Sequence, residues 1–408
     1  MVCTDRGRSS LPKQRQSLER PEDLVADHTR RSSRGRPTRR SDPGRGRRPV
    51  PSAVGPTGVA QVNRSIGSYF EAPSSSFVAD VPQYQHWRDQ RHTLVALGRQ
   101  ALELAAQRLR AYGVSKVHLP EYLCSSMLQP FENHLPWSLS KLDEDLMPSV
   151  ESLVLAHPRE AVLICNFFGR EFPSAVVSAI NDAQERGVII VSDITHAPFS
   201  PPAWSDDLTV ISLRKTLPIG DGAVIYGDLS RPTEIADELD PQLVTTRRRA
   251  AEAKSQTIRT GGAAQESQAT MRGFEEYLNS IQGITKISRA SEQDLQFLRT
   301  EEIARIRTEN STHLLNLLGE VPGVSPLSGY TKHLAPAFVT CRVKQPETLQ
   351  RKLAHEEIYC PIHWPQPARL KRAKWRNDLI SFPIDQRYGL YDMERIVDAV
   401  SRHRQENT

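Results

Sequence analysis

The sequence predicts an α/β protein, in which a large domain holds a mostly parallel sheet between helices and a small α/β domain follows at the C-terminal end. Two observations predict this class. From about residue 91, short apolar segments alternate with segments whose apolar residues recur at helical spacing. The segment 161–168 also opens with five apolar residues in a row, which is typical of a parallel strand buried on both faces.

The elements of the large domain follow in order. A helix is predicted over residues 92–112, where Leu97, Ala101 and Leu104 share one face, and it ends at Gly113. Two further helices are predicted over 123–131 and 173–186. The predicted strands span residues 116–119, 138–141, 161–168, 188–192, 208–212 and 223–226.

The alternation of strands and helices then stops. Long helices are predicted over 232–254 and 265–318, with interruptions near Gly261-Gly262 and Gly283. The last part of the chain predicts strand, helix, strand and helix over 336–343, 345–356, 379–382 and 390–404. These segments divide the chain into a tail at 1–60, a large domain at 61–320 and a small domain at 321–408.

The net charge of +5 is concentrated at the N-terminal end. Residues 1–50 hold 14 basic and 6 acidic residues, whereas the remaining 358 residues hold 39 basic and 42 acidic ones. The segment 1–60 has almost no apolar periodicity, so we expect it to be disordered. It is either a nucleic-acid-binding arm or a solvated extension, and the sequence contains no helix-turn-helix, zinc or RNA-binding signature that supports a nucleic-acid partner.

Five cysteines are scattered through the 408 residues without the spacing of a metal site. They indicate reduced thiols, a cytoplasmic location and no bound metal. No segment approaches the roughly 20 consecutive apolar residues that a membrane-spanning helix needs. We therefore expect no membrane association.

The most informative segment is the predicted strand 188–192, which is followed at once by Asp193. Side chains at the carboxyl ends of parallel strands face the crevice in which α/β proteins bind ligands. A turn-forming or capping role for Asp193 remains an alternative. Asp193 becomes a candidate site residue because a lysine, Lys215, follows the next strand along the chain.

Lys215 lies among leucine, isoleucine and proline residues, so we expect a desolvated amine that can form a Schiff base with an aldehyde. Ser212 and two following glycines suit a phosphate monoester. A third phosphate-binding element is Gly98, at the start of a helix whose first N–H groups would face the ligand. One cofactor has all the groups that these residues suit, namely pyridoxal 5′-phosphate (PLP). Its aldehyde matches Lys215, its pyridinium nitrogen matches Asp193, and its phosphate matches Gly98 and Ser212.

From about residue 65 onward, the sequence resembles the fold-type-I PLP enzymes and, among them, the DegT/DnrJ/StrS aminotransferases. The segments that carry the resemblance are short motifs, most of them at a strand end or a helix start, and the last of them lies within a predicted helix. They are residues 98–102 (GRQAL), 119–124 (LPEYLC), 165–169 (CNFFG), 192–197 (SDITHA), 212–222 (SLRKTLPIGDG) and 307–310 (RTEN).

The resemblance implies a role for each matching residue. Lys215 would bind PLP as a Schiff base and then act as the general base that moves the substrate proton. Asp193 would keep the pyridine nitrogen protonated, and His196 would form a hydrogen bond with the phenolic oxygen. The phosphate would be held by Gly98, Arg99, Gln100 and Ser212, with Arg214 as a further contact.

The sequence departs from the family pattern at several positions. Leu97 stands where a serine or threonine is usual, Asn166 replaces a histidine, and His196 replaces a glutamine. Cys124 occupies the position of an aromatic ring that stacks on the cofactor, and Tyr122 is a candidate substitute. Asn166, Cys124 and Tyr122 are nevertheless predicted to contact the cofactor.

Three residues near the C-terminal end are candidates for substrate contact. Arg387 would bind a substrate carboxylate, or alternatively it forms an ion pair with Asp385. His363 and Trp364 could line the entrance to the site, but the proline-rich loop around them favours a packed tryptophan and a hydrogen-bonded histidine.

By resemblance, the chain is expected to be a biosynthetic, homodimeric aminotransferase. It would move an amino group from a small-molecule donor, such as glutamate or glutamine, to a keto-sugar or related carbonyl acceptor. Residues 261–289 would contribute to the partner subunit's site. The alternatives are other PLP chemistry of the decarboxylase or aldolase type, and a non-catalytic relative with a nucleic-acid-binding arm.

Overall fold

The structure is a computed structural model that describes residues 64–405, apart from 230–232, 261–263 and 372. The tail predicted at 1–60 lies outside the described residues.

The larger sheet has the strand order β1-β7-β6-β5-β4-β2-β3. The strands β2 to β6 run parallel to one another, whereas β7 is antiparallel to β6 and β1 is antiparallel to β7. The prediction of a mostly parallel sheet is therefore confirmed. The strands are β1 (His92–Val95), β2 (Val117–Pro120), β3 (Trp137–Ser140), β4 (Ala161–Cys165), β5 (Ile189–Asp193), β6 (Leu208–Ile211) and β7 (Ala223–Tyr226).

Helices cover the strands, and a largely helical segment follows them. Every residue of β4, β6 and β7 is buried. For β4, this is what its uninterrupted apolar run predicted. Helix α1 packs on the sheet through Ala101, Leu104 and Ala105, which are at most 1% exposed. The helices up to this point are α1 (Gly98–Tyr112), α2 (Ser125–Glu132), α3 (Val150–Val154), α4 (Ser174–Glu185), α5 (Pro241–Thr260), α6 (Gln265–Ser280), α7 (Arg289–Phe297) and α8 (Thr300–Leu318).

The C-terminal part forms a three-stranded antiparallel sheet in the order β10-β9-β8. Its apolar core includes Leu314 and Leu318 from the end of α8 as well as Met393 and Ile396 from the last helix. The division into domains at residue 320 stays a prediction. The elements are β8 (Val324–Pro326), β9 (Phe338–Val343), α9 (Pro346–His355), β10 (Leu379–Pro383) and α10 (Leu390–Gln405).

Three predicted helix boundaries are wrong. Residues 92–95 form strand β1 rather than the first turn of a helix, because β7 offers them a backbone partner over four paired residues. Helix α5 begins at Pro241 rather than at 232, and before it Asp237 forms a bridge with Thr285. The helix predicted over 265–318 is three helices, and Gly283 lies at the first break, as predicted. The predicted break at 261–262 lies outside the described residues.

Within the described ranges, no helix is both long enough and apolar enough to cross a membrane. In the same part of the chain, no group of three or more histidine, cysteine, aspartate or glutamate side chains could hold a metal ion.

Candidate functional site

A small cavity lies where β4 and β5 end and where the chain turns after β6. The parallel register places Cys165, the last residue of β4, directly beside Asp193, the last residue of β5. Polar side chains that are far apart in the sequence therefore meet at one edge of the sheet. The cavity is lined by Met127, Cys165, Asn166, Phe167, Asp193, Thr195, His196, Lys215 and Trp364.

The structure thus brings four of the predicted site residues together: Asn166, Asp193, His196 and Lys215. Asn166 uses its side-chain oxygen to accept a hydrogen bond from the Arg170 N–H at 2.9 Å. Its side chain therefore shapes the turn after β4 as well as the cavity.

Asp193 is a partly buried carboxylate at the centre of this edge. Its Oδ1 accepts a hydrogen bond from the Thr195 N–H at 2.9 Å. Burial raises the pKa of Asp193, while the bonds from Thr195 and the charge of Lys215 act in the opposite direction. A cation placed against this carboxylate would relieve the cost of its burial.

His196 lies between the rings of Phe168 and Trp364, at centroid distances of 5.5 and 6.2 Å and within 18° of parallel. Burial, together with the neighbouring His363 and Lys215, lowers the pKa of His196 well below its usual value. The imidazole is therefore neutral. Because Nδ1 accepts a hydrogen bond from the Phe168 N–H at 3.1 Å, the ring proton sits on Nε2. Nε2 is thus a hydrogen-bond donor.

Lys215 ends a short 3-10 turn that follows β6. The expected desolvation of its amine is not found, because the Lys215 side chain is exposed. The apolar residues around it explain the difference: Leu213, Leu217 and Ile219 are at most 4% exposed, so their side chains enter the core instead of covering the lysine. Lys215 still lies close enough to Asp193 and His196 to affect both pKa values.

The predicted phosphate-binding elements also come together. Gly98 begins α1 and packs against Ser212: a Cβ atom on Gly98 would lie 2.8 Å from the Ser212 Cβ and 3.1 Å from its Oγ. The residue that caps α1, Leu97, makes no side-chain capping bond. The first N–H groups of a helix have no acceptor within that helix, so this end of α1 offers donors beside a buried hydroxyl.

The side chains of Arg99 and Gln100 are used elsewhere. The Arg99 guanidinium donates to the Leu278 carbonyl at 2.7 Å, and the Gln100 amide donates to the Gly283 carbonyl at 3.0 Å. A phosphate contact of Arg99 would therefore come from its backbone, whereas the Gln100 N–H already donates to the Leu97 carbonyl at 3.0 Å. Arg214, which was predicted as a further phosphate contact, donates two hydrogen bonds to the Glu275 carboxylate at 2.8 Å. Its guanidinium is therefore engaged with a protein group.

Tyr122 and Cys124 are not among the residues that line the cavity. Tyr122 is 1% exposed, and its ring packs against those of Phe167 and Trp375. Cys124 caps α2, and its Sγ lies 3.0 Å from the Ser126 Oγ. Their predicted contact with a cofactor stays a prediction.

Arg387 is engaged with neighbouring protein groups. It donates to both oxygens of Asp385, at 2.7 and 2.9 Å, and to Glu71 at 3.3 Å. Its remaining N–H groups donate to the carbonyls of Tyr69 and Ser68. All five donors of the guanidinium thus have acceptors, which favours the ion pair over carboxylate binding.

Sequence reasoning did not assign Thr195, Met127 or Phe167 to the site. Thr195 lies two residues after Asp193, which is the signal that could have indicated it. For Trp364, the sequence offered a role at the site and a role in packing. The structure shows both, because Trp364 lines the cavity and packs against the larger apolar core.

No family model matches the sequence. One relative, the dTDP-3-amino-3,6-dideoxy-α-D-galactopyranose transaminase of Aneurinibacillus thermoaerophilus, is 27% identical over 159 residues. The matched region covers 36% of this chain and 42% of the relative, so the chain spans less than half the length of that protein.

Solved structures match over more of the chain. A sugar aminotransferase of Streptococcus pneumoniae, in its PLP form, covers 83% of this chain and 98% of its own, with 11% identity and a TM-score of 0.57. The aminotransferase TlmJ of Streptoalloteichus hindustanus covers 76% and 85%, with 18% identity and a TM-score of 0.52. A DegT/DnrJ/EryC1/StrS aminotransferase of Brucella abortus covers 76% and 84%, with 15% identity and a TM-score of 0.50.

The chain has the fold of the fold-type-I PLP-dependent aminotransferases, and its sequence resembles the DegT/DnrJ/StrS sugar aminotransferases.

Proposed function

We propose that this protein is a PLP-dependent aminotransferase that moves an amino group from an amino acid donor to a keto-sugar or related carbonyl compound. The observation that carries the proposal is the shared cavity of Asp193, His196 and Lys215, since a carboxylate, a neutral imidazole and an amine are the groups that this chemistry uses.

The residues fit PLP at three points. The carboxylate of Asp193, whose pKa is raised by burial, suits a protonated ring nitrogen. The Nε2–H of His196 suits the phenolic oxygen of the same ring. Ser212 and the start of α1 suit the phosphate, because the absence of a side chain at Gly98 lets the start of the helix lie close to the Ser212 hydroxyl.

When bound, PLP supplies an aldehyde that takes up amino groups and a ring that withdraws electrons from the Cα of the substrate. The chain's own residues then have separate tasks. Asp193 would hold the proton on the ring nitrogen, and His196 would orient the ring through its Nε2–H. Lys215 Nζ would hold the aldehyde carbon of the cofactor and would serve as the base for the proton on the substrate Cα.

The substrate class is proposed from the relative's name, which describes a transaminase of a nucleotide-linked amino sugar. A homodimer is proposed with it, because Lys215 is exposed in a single chain and the chemistry requires exclusion of water. Residues 264–289 are the described part of the segment expected to contribute to the partner subunit's site.

The decarboxylase or aldolase alternative was expected to show two features, the lack of an aromatic ring at Cys124 and an Arg387 free to bind a carboxylate. The first is present in the sequence. The second is not found, because the donors of the Arg387 guanidinium are engaged with Asp385 and Glu71.

The test compares the purified wild-type protein with Lys215→Ala after incubation with PLP. Wild type should show a visible absorption band, and borohydride reduction should leave a pyridoxyl group that peptide mass spectrometry locates on Lys215. The matched control is Lys141→Ala, an exposed lysine at the edge of the sheet, and it should behave as wild type. Equal labelling of wild type and Lys215→Ala, or no band in wild type, would reject the proposal.

With the band established, amino donors are then screened in single turnovers. Loss of the band on adding glutamate or glutamine, and its return with a nucleotide-linked keto-sugar, is the expected result.

A further inference from the structure

The cavity is bounded by one aromatic side chain from the C-terminal part of the chain. Trp364 lies between α9 and β10, more than 140 residues after Lys215, and it lines the cavity with Asp193, His196 and Lys215. The sequence raised this placement only as an alternative to core packing, because the position of Trp364 depends on how the C-terminal segment packs.

The position of Trp364 is well defined by its contacts. The Trp375 Nε1–H donates to the Trp364 carbonyl at 2.9 Å. The Trp364 ring lies 5.5 Å from that of Tyr122 and 6.2 Å from that of His196, with the latter pair 18° from parallel. The indole therefore has the same orientation as the imidazole that is proposed to contact the cofactor.

The other aromatic candidates are less suited to contact a bound ring. Tyr122 is not among the cavity-lining residues, and Cys124 has no ring. Phe167 lines the cavity but is 3% exposed, so its faces are already covered by neighbouring side chains. Trp364 is only partly buried and keeps surface that a ligand can cover.

We propose that Trp364 supplies the aromatic surface against which the pyridine ring of PLP packs, in place of the ring that is absent at Cys124. This inference rests on the proposed function. The protonated pyridine ring is electron-poor and positively charged, and the indole is the side chain whose face attracts such a group most strongly.

Through Trp364, the C-terminal sheet would contribute to cofactor binding. The segment that carries Trp364 is attached to β10, since the Ser381 N–H donates to the Pro361 carbonyl at 3.0 Å and His363 Nδ1 lies 3.0 Å from the Ser381 Oγ. Trp364 therefore couples the affinity for PLP to the packing of β10.

The experiment measures binding to the full chain without turnover. The ligand is pyridoxamine 5′-phosphate, which has no aldehyde and so binds without a bond to Lys215. Affinity is measured by calorimetry, and quenching of tryptophan fluorescence reports contact between the ligand and an indole. Wild type is compared with Trp364→Leu, Trp364→Phe and the matched control Trp137→Leu, which changes a partly buried tryptophan on strand β3.

Trp364→Leu should weaken binding about tenfold, which corresponds to the upper end of an aromatic pair's contribution. It should also remove most of the ligand-induced quenching. Trp364→Phe keeps a ring, so its affinity should stay within about threefold of wild type while the quenching falls. Trp137→Leu should bind and quench as wild type does.

Wild-type affinity and wild-type quenching in a folded Trp364→Leu would overturn this inference and leave the proposed function standing. Failure of wild type to bind both PLP and pyridoxamine 5′-phosphate would overturn the two together. If circular dichroism shows that Trp364→Leu does not fold, the quenching of Trp364→Phe decides: unchanged quenching contradicts the proposal.

Discussion

Asp193 is a carboxylate in an unfavourable environment when no cation lies against it. Burial raises its pKa, so the folded chain binds the proton more readily than the unfolded chain does. The ionised form therefore costs free energy of folding, and this cost grows as the pH rises from the usual pKa of an aspartate through the raised pKa of Asp193. A protonated ring nitrogen would remove that cost.

We therefore expect Asp193→Asn to raise the melting temperature of the cofactor-free protein, and to raise it more at pH 8 than at pH 4. The same variant should lose the visible absorption band with PLP or show it much weakened. Thermal melts at the two pH values test the first part. A melting temperature below that of wild type at pH 8 would contradict it.

Gly98 lies where a side chain cannot be accommodated without movement. Because a Cβ there would lie 2.8 Å from the Ser212 Cβ, Gly98→Ala should lower the free energy of unfolding by about 1–3 kcal/mol and weaken PLP binding. Urea denaturation measures the first effect. The control is Gly273→Ala in α6, where a Cβ would meet nothing within 4 Å, and this change should leave stability unchanged or raise it.

Ser212→Gly in the Gly98→Ala background removes the opposing Cβ. Partial recovery of stability in the double variant would show that the contact between these two residues is the cause, whereas additive losses would show that it is not.

The turn that carries Lys215 is tied to the helices behind it. Asp221, which is 0% exposed, accepts hydrogen bonds from the Ser288 N–H at 2.8 Å and from the Ser288 and Ser291 hydroxyls at 2.6 Å. Ser288 in turn caps α7. On the other side of Lys215, Arg214 is bonded to Glu275 of α6.

Asp221→Ala leaves these three donors without their acceptor, so we expect the free energy of unfolding to fall by about 2–4 kcal/mol. Ser291→Ala removes one donor and should cost about 1 kcal/mol. Urea denaturation of both variants tests the expectation. A loss below about 0.5 kcal/mol for Asp221→Ala would show that the buried carboxylate does not hold the turn.

Individual elements differed in how well their patterns predicted them. Strands β6 and β7 were predicted to within one residue of their observed bounds, whereas the strand predicted over 161–168 ends at Cys165. Residues 92–95 were predicted as helix because Leu97 and Ala101 continue a helical spacing. The partner that makes those four residues a strand, β7, lies more than 120 residues later in the chain.

The whole molecule is expected to form a dimer, because Lys215 is exposed in one chain while the proposed chemistry needs a site closed to water. Sedimentation equilibrium should therefore report twice the mass of one chain at micromolar concentration. A monomer that nevertheless binds PLP on Lys215 would show that a second copy is not needed to complete the site.

The sequence by itself determined the class of fold and the order of the site's components, because periodicity and strand-end residues are local features of the chain. Asp193 and Lys215 were identified in this way, and His196 through its place in the motif that resembles the aminotransferase family. Only the tertiary structure decided which side chains face the cavity. It turned Arg99, Gln100 and Arg387 toward protein acceptors, left Lys215 exposed, and brought Trp364 to the cavity. These outcomes depend on contacts between residues far apart in the chain, and no local pattern records which of several acceptors a long side chain will reach.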